Sequence, residues 1–430
     1  MGSFLKDLVS VGLSRGGVVI FSLLQGVIIA RWLGPELNGV IAALLVYPSL
    51  FISFGSLGIS QSTAYFTGKG KYTGMQIKTA VSQIWLLTSL ISVAISFILI
   101  RYFSNSGEDL LLVFLALAPI PFALFNTYNS GIFLGKNDIR QFNKINWLPP
   151  FFILLATILL VILLDLLVIG AMAAMVIGPL IMSFLMLFKN RFFAAFSPRI
   201  DFGVVKALLS LGIVYAFALL VINLNYKLDV VLLDKFSINY ETGIYSKGAS
   251  LVQYLWQIPM LLSTIVFARS VASKNSKIFS VKVCQLLRIS ILIVGLGCIV
   301  LAVLAPFVIN ILFGPAFIES AQVLLYLIPG VLLLTVFKVL NMDLAGRGKP
   351  WISLTAMLPA LLVNILLNII WIPKYGANGA AVASTVSYSL AAILFLIVYS
   401  RVTAMPLKQI LGYKKQDFEF IKVFINKRKK

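Results

Sequence analysis

Runs of apolar residues long enough to cross a bilayer follow one another along nearly the whole chain, broken by short stretches rich in Lys, Arg, Asn, Gly and Pro. A hydrocarbon core takes about 20 apolar residues of helix. On that measure the pattern predicts spans at 8–30, 39–66, 79–100, 110–134, 145–164, 166–188, 207–233, 244–268, 284–312, 321–345, 351–372 and 378–400. The expected fold class is all-α integral membrane, with about 12 transmembrane helices. None of the connecting segments is long enough to fold as a soluble domain.

Composition agrees. The chain has 430 residues, of which 60% are hydrophobic and 11% charged, and it has no His; a soluble domain is about 45–50% apolar and about 25% charged. The net charge of +21 would point to nucleic acid in a soluble protein. Here the cations sit between spans, so topology and anionic lipid headgroups account for them and no nucleic-acid partner is expected. Lys69, Lys71 and Lys78, then Lys136, Arg140 and Lys144, then Lys189, Arg191, Arg199 and Lys206, then Arg269 to Arg288, then Arg347 and Lys349 all fall on one side, with Lys6 and the basic tail. The other side holds only Arg31, Arg101, Lys235, Lys247 and Lys374. Basic loops face the cytoplasm, so both termini are expected there. The start, MGSFLKDLVSVGLSRGG, runs into the first span without a cleavage site. Cys284 and Cys298 lie about 21 Å apart on one predicted helix, too far to pair.

A weak repeat divides the chain. RWLGPELNG at 31–39 and DKFSINYETG at 234–243 align Arg31 with Lys235 and Gly39 with Gly243; Gly170-Ala171-Met172-Ala173 echoes Gly379-Ala380-Ala381-Val382. The expected organisation is an N-terminal six-helix bundle at 1–188, a linker at 189–206, a C-terminal six-helix bundle at 207–400 and a basic cytoplasmic tail at 401–430. Phe418, Ile421, Phe424 and Ile425 have helical spacing in that tail, as expected of an interfacial helix against anionic lipid, although a disordered tail is an equal alternative.

The chemistry lies in charges at membrane depth. Such residues are costly in lipid and face a bundle interior or an aqueous cavity. The span ALLSLGIVYAFALLVINLNYKLDVVLL carries Asn223, Asn225, Tyr226, Lys227 and Asp229. Asn223 and Lys227 share one helix face and Asn225 and Asp229 another. Arg15 lies two turns into the first span, with Gln25 on the same half of that helix; its planar fork suits phosphate oxygens. Lys338 lies in the tenth span. The three cations are expected to face a common cavity, with the rival reading that Arg15 and Lys338 snorkel to headgroups. Asp229 is the candidate ion-coupling carboxylate. There is no Walker A, no HExxH and no His or Cys cluster, so no cofactor and no metal is expected. GKGKYTG at 68–74 reads as a topogenic turn.

ARWLGPELNG followed by FGSLGISQSTAYF in the first hairpin, and AGRGKPWISL followed by IPKYGANGAAVASTVSY in the last, resemble the polysaccharide transporter (lipid-linked O-antigen flippase) family. That family belongs to the multidrug/oligosaccharidyl-lipid/polysaccharide exporter superfamily. The resemblance implies two helix bundles around a cavity that opens alternately to each side. It implies a flippase, not an enzyme, in a bacterial inner membrane. The implied cargo is an undecaprenyl-diphosphate-linked oligosaccharide, and a polysaccharide polymerase and chain-length regulator are implied as partners. Arg15, Lys227 and Lys338 match the cationic cavity residues by type and place, with Gln25, Asn223, Asn225 and Tyr226 for sugar hydroxyls. Two other readings stand beside it. A multidrug antiporter of the same superfamily would want an acidic or aromatic cavity. A membrane glycosyltransferase or polymerase would want acids on an outer loop, where only Glu108-Asp109 are adjacent, and a helix-start role explains those more simply.

Overall fold

Apolar runs in lipid must satisfy their backbone groups internally, and the chain does so with helices. The computed structural model describes residues 2–136, 138–197, 200–257, 259, 276–414 and 417. In chain order the helices are α1 (Gly2–Gly55), α2 (Ile59–Lys69), α3 (Gly74–Phe103), α4 (Leu110–Leu117), α5 (Pro119–Gly135), α6 (Ile139–Asn146), α7 (Leu148–Thr157), α8 (Leu167–Lys189), α9 (Phe202–Phe236), α10 (Asn239–Leu255), α11 (Ser276–Phe313), α12 (Ser320–Gly346), α13 (Leu354–Thr403) and α14 (Leu407–Leu411). Among the described residues nine stretches are long and apolar enough to cross a membrane. Two of these, Ser14–Lys69 with 56 residues and Pro350–Thr403 with 54, are more than twice as long as a bilayer requires. Counting each as a hairpin and adding α10, whose expected continuation to 268 lies largely outside the described residues, recovers the 12-helix pattern.

The first hairpin turns inside α1 at Gly34, with φ 71° and ψ 179°, a conformation that costs only glycine little. Pro35 then starts the next helix where its missing N–H is harmless. Asn38 closes the turn, its Nδ2 donating to Ile29 O at 3.1 Å and Gly34 O at 2.7 Å. The last hairpin turns at Gly376, with φ 52°. GKGKYTG is the short turn expected: Gly70 ends α2 in a left-handed conformation, and Thr73 and Gln76 form a capping box on α3. Asp109 caps α4 by accepting from the N–H groups of Leu111 and Leu112, the helix-start role read for it.

Three spans are less regular than the apolar runs predict. The second breaks at Leu57 and Gly58, both left-handed, so that Gly58 can lie against the backbone of Gly212 on α9; a Cβ there would meet the Gly212 carbonyl at 2.5 Å. The fourth breaks between α4 and α5 ahead of Pro119. Pro121, in the first turn of α5, has its carbonyl taken by Trp85 Nε1 at 2.7 Å. The fifth continues beyond α7 as a π-helical turn, Ile158–Leu163. Apolar runs do not register such breaks, because the residues on either side of them are equally apolar.

The chain forms two compact units, one of residues 1–246 and 309–318, the other of 247–308 and 319–430. In the first, α9 packs on α1, α2 and α3. Small residues let backbones approach closely there, as membrane interfaces require: on α5, a Cβ on Gly131 would overlap Ser60 O, and one on Gly135 would come 2.6 Å from Thr67 Cβ. The repeat-related segments also touch. A Cβ on Gly39 would overlap the carbonyl of Asn239, and one on Gly243 would overlap the carbonyl of Pro35. In the sequence alignment Pro35 corresponds to Asn239 and Gly39 to Gly243, so the contact is reciprocal, as across a local two-fold axis. The second unit packs α12 against α13 along most of their length. The proposed boundary at 189–206 concerns the repeat and stays a proposal; by packing, α9 lies with the first unit.

Candidate functional site

Within the first unit, Arg15 and Lys227 are both half-buried on helices of membrane-spanning length. Neither makes a hydrogen bond or ion pair among the described residues. Arg15 follows Ser14, a buried hydroxyl with no partner, and Gln25, half-buried, leaves its Nε2 unpartnered. Lys227 lies about 37 Å along α9 from Phe202 by helix rise, so it stands far from the basic end of its helix. The two faces read from the sequence are distinct. Asn223 and Lys227 lie on the half-buried face; Asn225 and Asp229 are fully buried. Asn223 Nδ2 is committed to Leu219 O at 2.8 Å, which leaves its Oδ1. Asp229 accepts from the Tyr245 hydroxyl of α10 at 2.7 Å, the partner on another helix that its burial demands. Tyr226 is half-buried beside them. In this conformation Asn225 and Asp229 present no surface to a solute, whereas Arg15, Gln25, Asn223, Tyr226 and Lys227 do.

Lys338 belongs to the second unit. Its ammonium lies over the Trp256 ring, 4.1 Å from the centroid, and Trp256 in turn packs edge-on against Tyr388 with centroids 5.8 Å apart. A cation desolvated against an indole gains about 2 kcal/mol from the ring quadrupole. The side chain is therefore held against the indole within the second unit.

Several functional-looking groups escaped the sequence reading. Lys247, read near the start of the 244–268 span, is two turns inside α10, because the preceding turn is only Ser237–Ile238 and the helix starts at Asn239. Two further acids on helices of membrane-spanning length are buried, Asp234 near the end of α9 and Asp343 near the end of α12. Asp343 accepts from Tyr399 OH at 2.7 Å, Ser280 Oγ at 2.7 Å and Arg347 Nη2 at 2.8 Å, which fastens α11, α12 and α13 together at one end. The i, i+4 spacing of Asp343 and Arg347 was its one sequence signal. Arg288, read as topogenic, is buried and pairs with Asp417 through two 2.7 Å bonds, while its Nη1 holds Gln409 O at 3.0 Å and Ile410 O at 3.1 Å. The hydrogen bond from Arg288 is the main reason the Asp417 carboxyl is held below the usual carboxylate range. The start of the tail is thus strapped to α11. The Phe418, Ile421, Phe424 and Ile425 pattern lies outside the described residues. Among the described residues no cluster of His, Cys, Asp and Glu is suited to a metal.

Long apolar hairpins broken at glycines, with isolated cations within them, define a polytopic helical membrane protein. A family model described as polysaccharide biosynthesis protein matches residues 28–322, and the chain belongs to that family. Two curated archaeal relatives match locally. “Uncharacterized membrane protein MJ1068” of Methanocaldococcus jannaschii is 34% identical over 103 residues, 23% of this chain and 20% of that one. “Probable low-salt glycan biosynthesis flippase Agl15” of Haloferax volcanii is 29% identical over 87 residues, 20% of this chain and 18% of that one. The chain thus aligns with about a fifth of the length of the curated relatives it matches. Solved structures share the whole fold. The lipid II flippase MurJ in an inward closed conformation has TM-score 0.74 at 15% identity, over 98% of this chain and 96% of that one. An inward-facing multidrug resistance transporter of the MATE family has TM-score 0.71 at 14% identity, over 90% and 96%. A MOP superfamily transporter from Pyrococcus furiosus, described as having a binding pocket of reverse polarity, has TM-score 0.67 at 17% identity, over 95% and 97%.

Proposed function

We propose that the chain is a flippase that carries an undecaprenyl-diphosphate-linked oligosaccharide, an O-antigen, capsule or exopolysaccharide repeat unit, from the cytoplasmic to the outer leaflet. The observation that carries the proposal is that Arg15 and Lys227, half-buried at membrane depth, have no countercharge among the described residues. A desolvated cation left without a partner is strongly unfavourable. An anionic cargo removes that cost, and a diphosphate is the part of this lipid that hydrocarbon rejects most. Family membership in polysaccharide biosynthesis supports the cargo class, as does the flippase named among the relatives.

In this reading Arg15 grips phosphate oxygens with its fork, and Lys227 receives the charge nearer the opposite leaflet. Lys338, over the Trp256 ring in the second unit, is a further candidate cation for the cargo. Gln25, Asn223 and Tyr226 meet sugar hydroxyls, joined by Asn225 if its face opens, while the polyprenyl tail stays in lipid. Asp229 is the ion-coupling carboxylate of a proton or sodium antiport. The protein sits in a bacterial inner membrane with both termini cytoplasmic and its basic tail on anionic lipid, beside a polymerase and a chain-length regulator.

The multidrug-antiporter reading draws support from the fold alone and conflicts with unpaired cations, which repel organic cations. Reconstituted protein should move a fluorescent undecaprenyl-diphosphate sugar between leaflets, and Arg15→Ala with Lys227→Ala should slow it while the protein stays folded. Undiminished flipping by that double variant would overturn the site assignment.

A further inference from the structure

The segment that leaves α8 displays apolar rings to the outside. Phe188, Phe193 and Phe196 are 60%, 57% and 45% exposed, and the rings of Phe188 and Phe193 meet edge to face with centroids 5.1 Å apart. Lys189 and Arg191, also exposed, stand among them. Between Asp165 and Asp201 the chain carries no acid. The backbone that bears these groups is fastened. Three side chains of α3 hold it: Lys78 Nζ donates to Asn190 O, Ser82 Oγ to Ala195 O at 3.1 Å and Gln83 Nε2 to Ser197 O at 3.1 Å. On α5, Asn129 Oδ1 accepts from Asn190 Nδ2 at 3.0 Å, and Phe125 meets the buried Phe192 ring edge-on at 5.2 Å. Asn190 and Phe192 are thus taken inward, which leaves Phe188, Lys189, Arg191, Phe193 and Phe196 outside.

A cation that only sets topology needs to lie on one side of the membrane. It needs neither a pinned backbone nor exposed rings around it. Apolar patches rimmed by charge mark binding surfaces, and this one stands at the end of a helix of membrane-spanning length, where headgroups begin. We propose that residues 188–196 bind one anionic phospholipid, with Lys189 and Arg191 meeting its phosphate and Phe188, Phe193 and Phe196 its acyl chain. The surrounding charges fit an anion. Lys78 adds positive charge behind the segment while it holds Asn190 O. Asp201, the next acid along the chain, is already engaged: it accepts from the N–H groups of Gly203 and Val204 and from Gln76 Nε2. Arg191 takes a left-handed backbone, φ 49°, which a residue with a side chain holds only at a cost. That bend lets Arg191 face outward directly before Phe192 turns in.

The place of the site gives it a consequence. The segment runs from α8 toward α9 within the first unit and is tied sideways to α3 and α5. A lipid seated on it favours the folded arrangement of all four helices, because anything that binds the folded chain alone stabilises it by mass action. The basic tail is a separate contact, at the other end of the chain.

The test is thermal unfolding of the full chain in mixed micelles titrated with phosphatidylglycerol or with phosphatidylcholine. Phosphatidylglycerol should raise the unfolding midpoint at the lower mole fraction. Lys189→Gln with Arg191→Gln should raise the mole fraction needed for half that response about thirtyfold, the worth of two cations beside an anionic surface. Lys69→Gln with Lys71→Gln removes the same charge from the turn before α3 and should leave the response nearly unchanged. Phe188→Ser with Phe193→Ser should weaken binding of both lipids and keep the preference between them. Equal responses to the two lipids, an undiminished response in the Lys189 and Arg191 variant, an equal loss in the Lys69 and Lys71 variant, or no loss in the phenylalanine variant would each overturn the proposal. So would inorganic phosphate reproducing the response, which would mark a free-anion site, or a midpoint that follows protein concentration instead of lipid, which would assign the face to a second copy. None of these readouts depends on the cargo, so a failed flipping assay leaves the inference standing and the reverse also holds.

Discussion

Replacing Asp417 by Ala isolates the energetic role of the strap between the tail and α11. The substitution leaves the Arg288 guanidinium, 4% exposed, facing the carbonyls of Gln409 and Ile410 with no countercharge. Breaking one side of a buried ion pair costs about 3–5 kcal/mol, because the remaining charge is desolvated and uncompensated. Since Arg288 retains two carbonyl acceptors at 3.0 and 3.1 Å, the lower end of that range, about 3 kcal/mol, is expected. Heat scans of the detergent-solubilised protein at one fixed scan rate measure it as a lowered unfolding midpoint, since large membrane proteins unfold irreversibly and only matched scans compare. Acid supplies an independent check. Asp417 is held below the usual carboxylate range by the hydrogen bond from Arg288, so its contribution is fully present above its unfolded value, about 3.9. It is lost as pH falls through the lower, folded value. The wild type should lose more stability than Asp417→Ala over that interval, so the two midpoints converge in acid. A variant as stable as the wild type near neutrality, or midpoints that stay parallel into acid, would refute the reasoning.

Gly39→Ala and Gly243→Ala should each impair folding alone, because the added Cβ meets backbone carbonyls that cannot rotate away. Overpacking against such atoms costs about 1–3 kcal/mol or more, and the yield of monodisperse protein after solubilisation measures it; normal yield from both variants would contradict the close crossing. Tyr399→Phe removes one of the donors to the buried Asp343 carboxylate, and hydrogen bonds to charged groups are each worth about 1.5–3 kcal/mol. A lowered midpoint is expected, with little further loss when Ser280→Ala is added, since the donors share one acceptor; full additivity would argue against a single network.

How much of this was legible depended on the kind of signal. Span positions were readable because bilayer thickness fixes length and composition together, and the turns at Gly34-Pro35 and Gly376 carry glycines whose conformations explain them. The breaks at Gly58 and Pro119 and the π turn after α7 were not, since they answer to partners such as Gly212 and Trp85 far along the chain. Among charges, the two faces of α9 followed from i, i+4 spacing alone, and Asp229 found the helix partner its burial requires. Arg288 and Arg347 were indistinguishable from topogenic cations, because a positive charge near a helix end looks the same whether water or an aspartate receives it. Asp234 and the depth of Lys247 were hidden by boundary errors of a few residues: α9 runs on to Phe236 and α10 starts at Asn239. The reciprocal packing of Gly39 on Asn239 and Gly243 on Pro35 gives the weak sequence repeat a physical counterpart.

The central claim is that fixed cations at membrane depth recognise a lipid diphosphate. Equilibrium binding of a short-chain polyprenyl diphosphate, set against the matching polyprenyl alcohol, tests it directly in the purified full chain. The account predicts that the wild type prefers the diphosphate and that Arg15→Ala with Lys227→Ala, folded and monodisperse, loses the preference. An undiminished preference in that double variant, or none in the wild type, would contradict it.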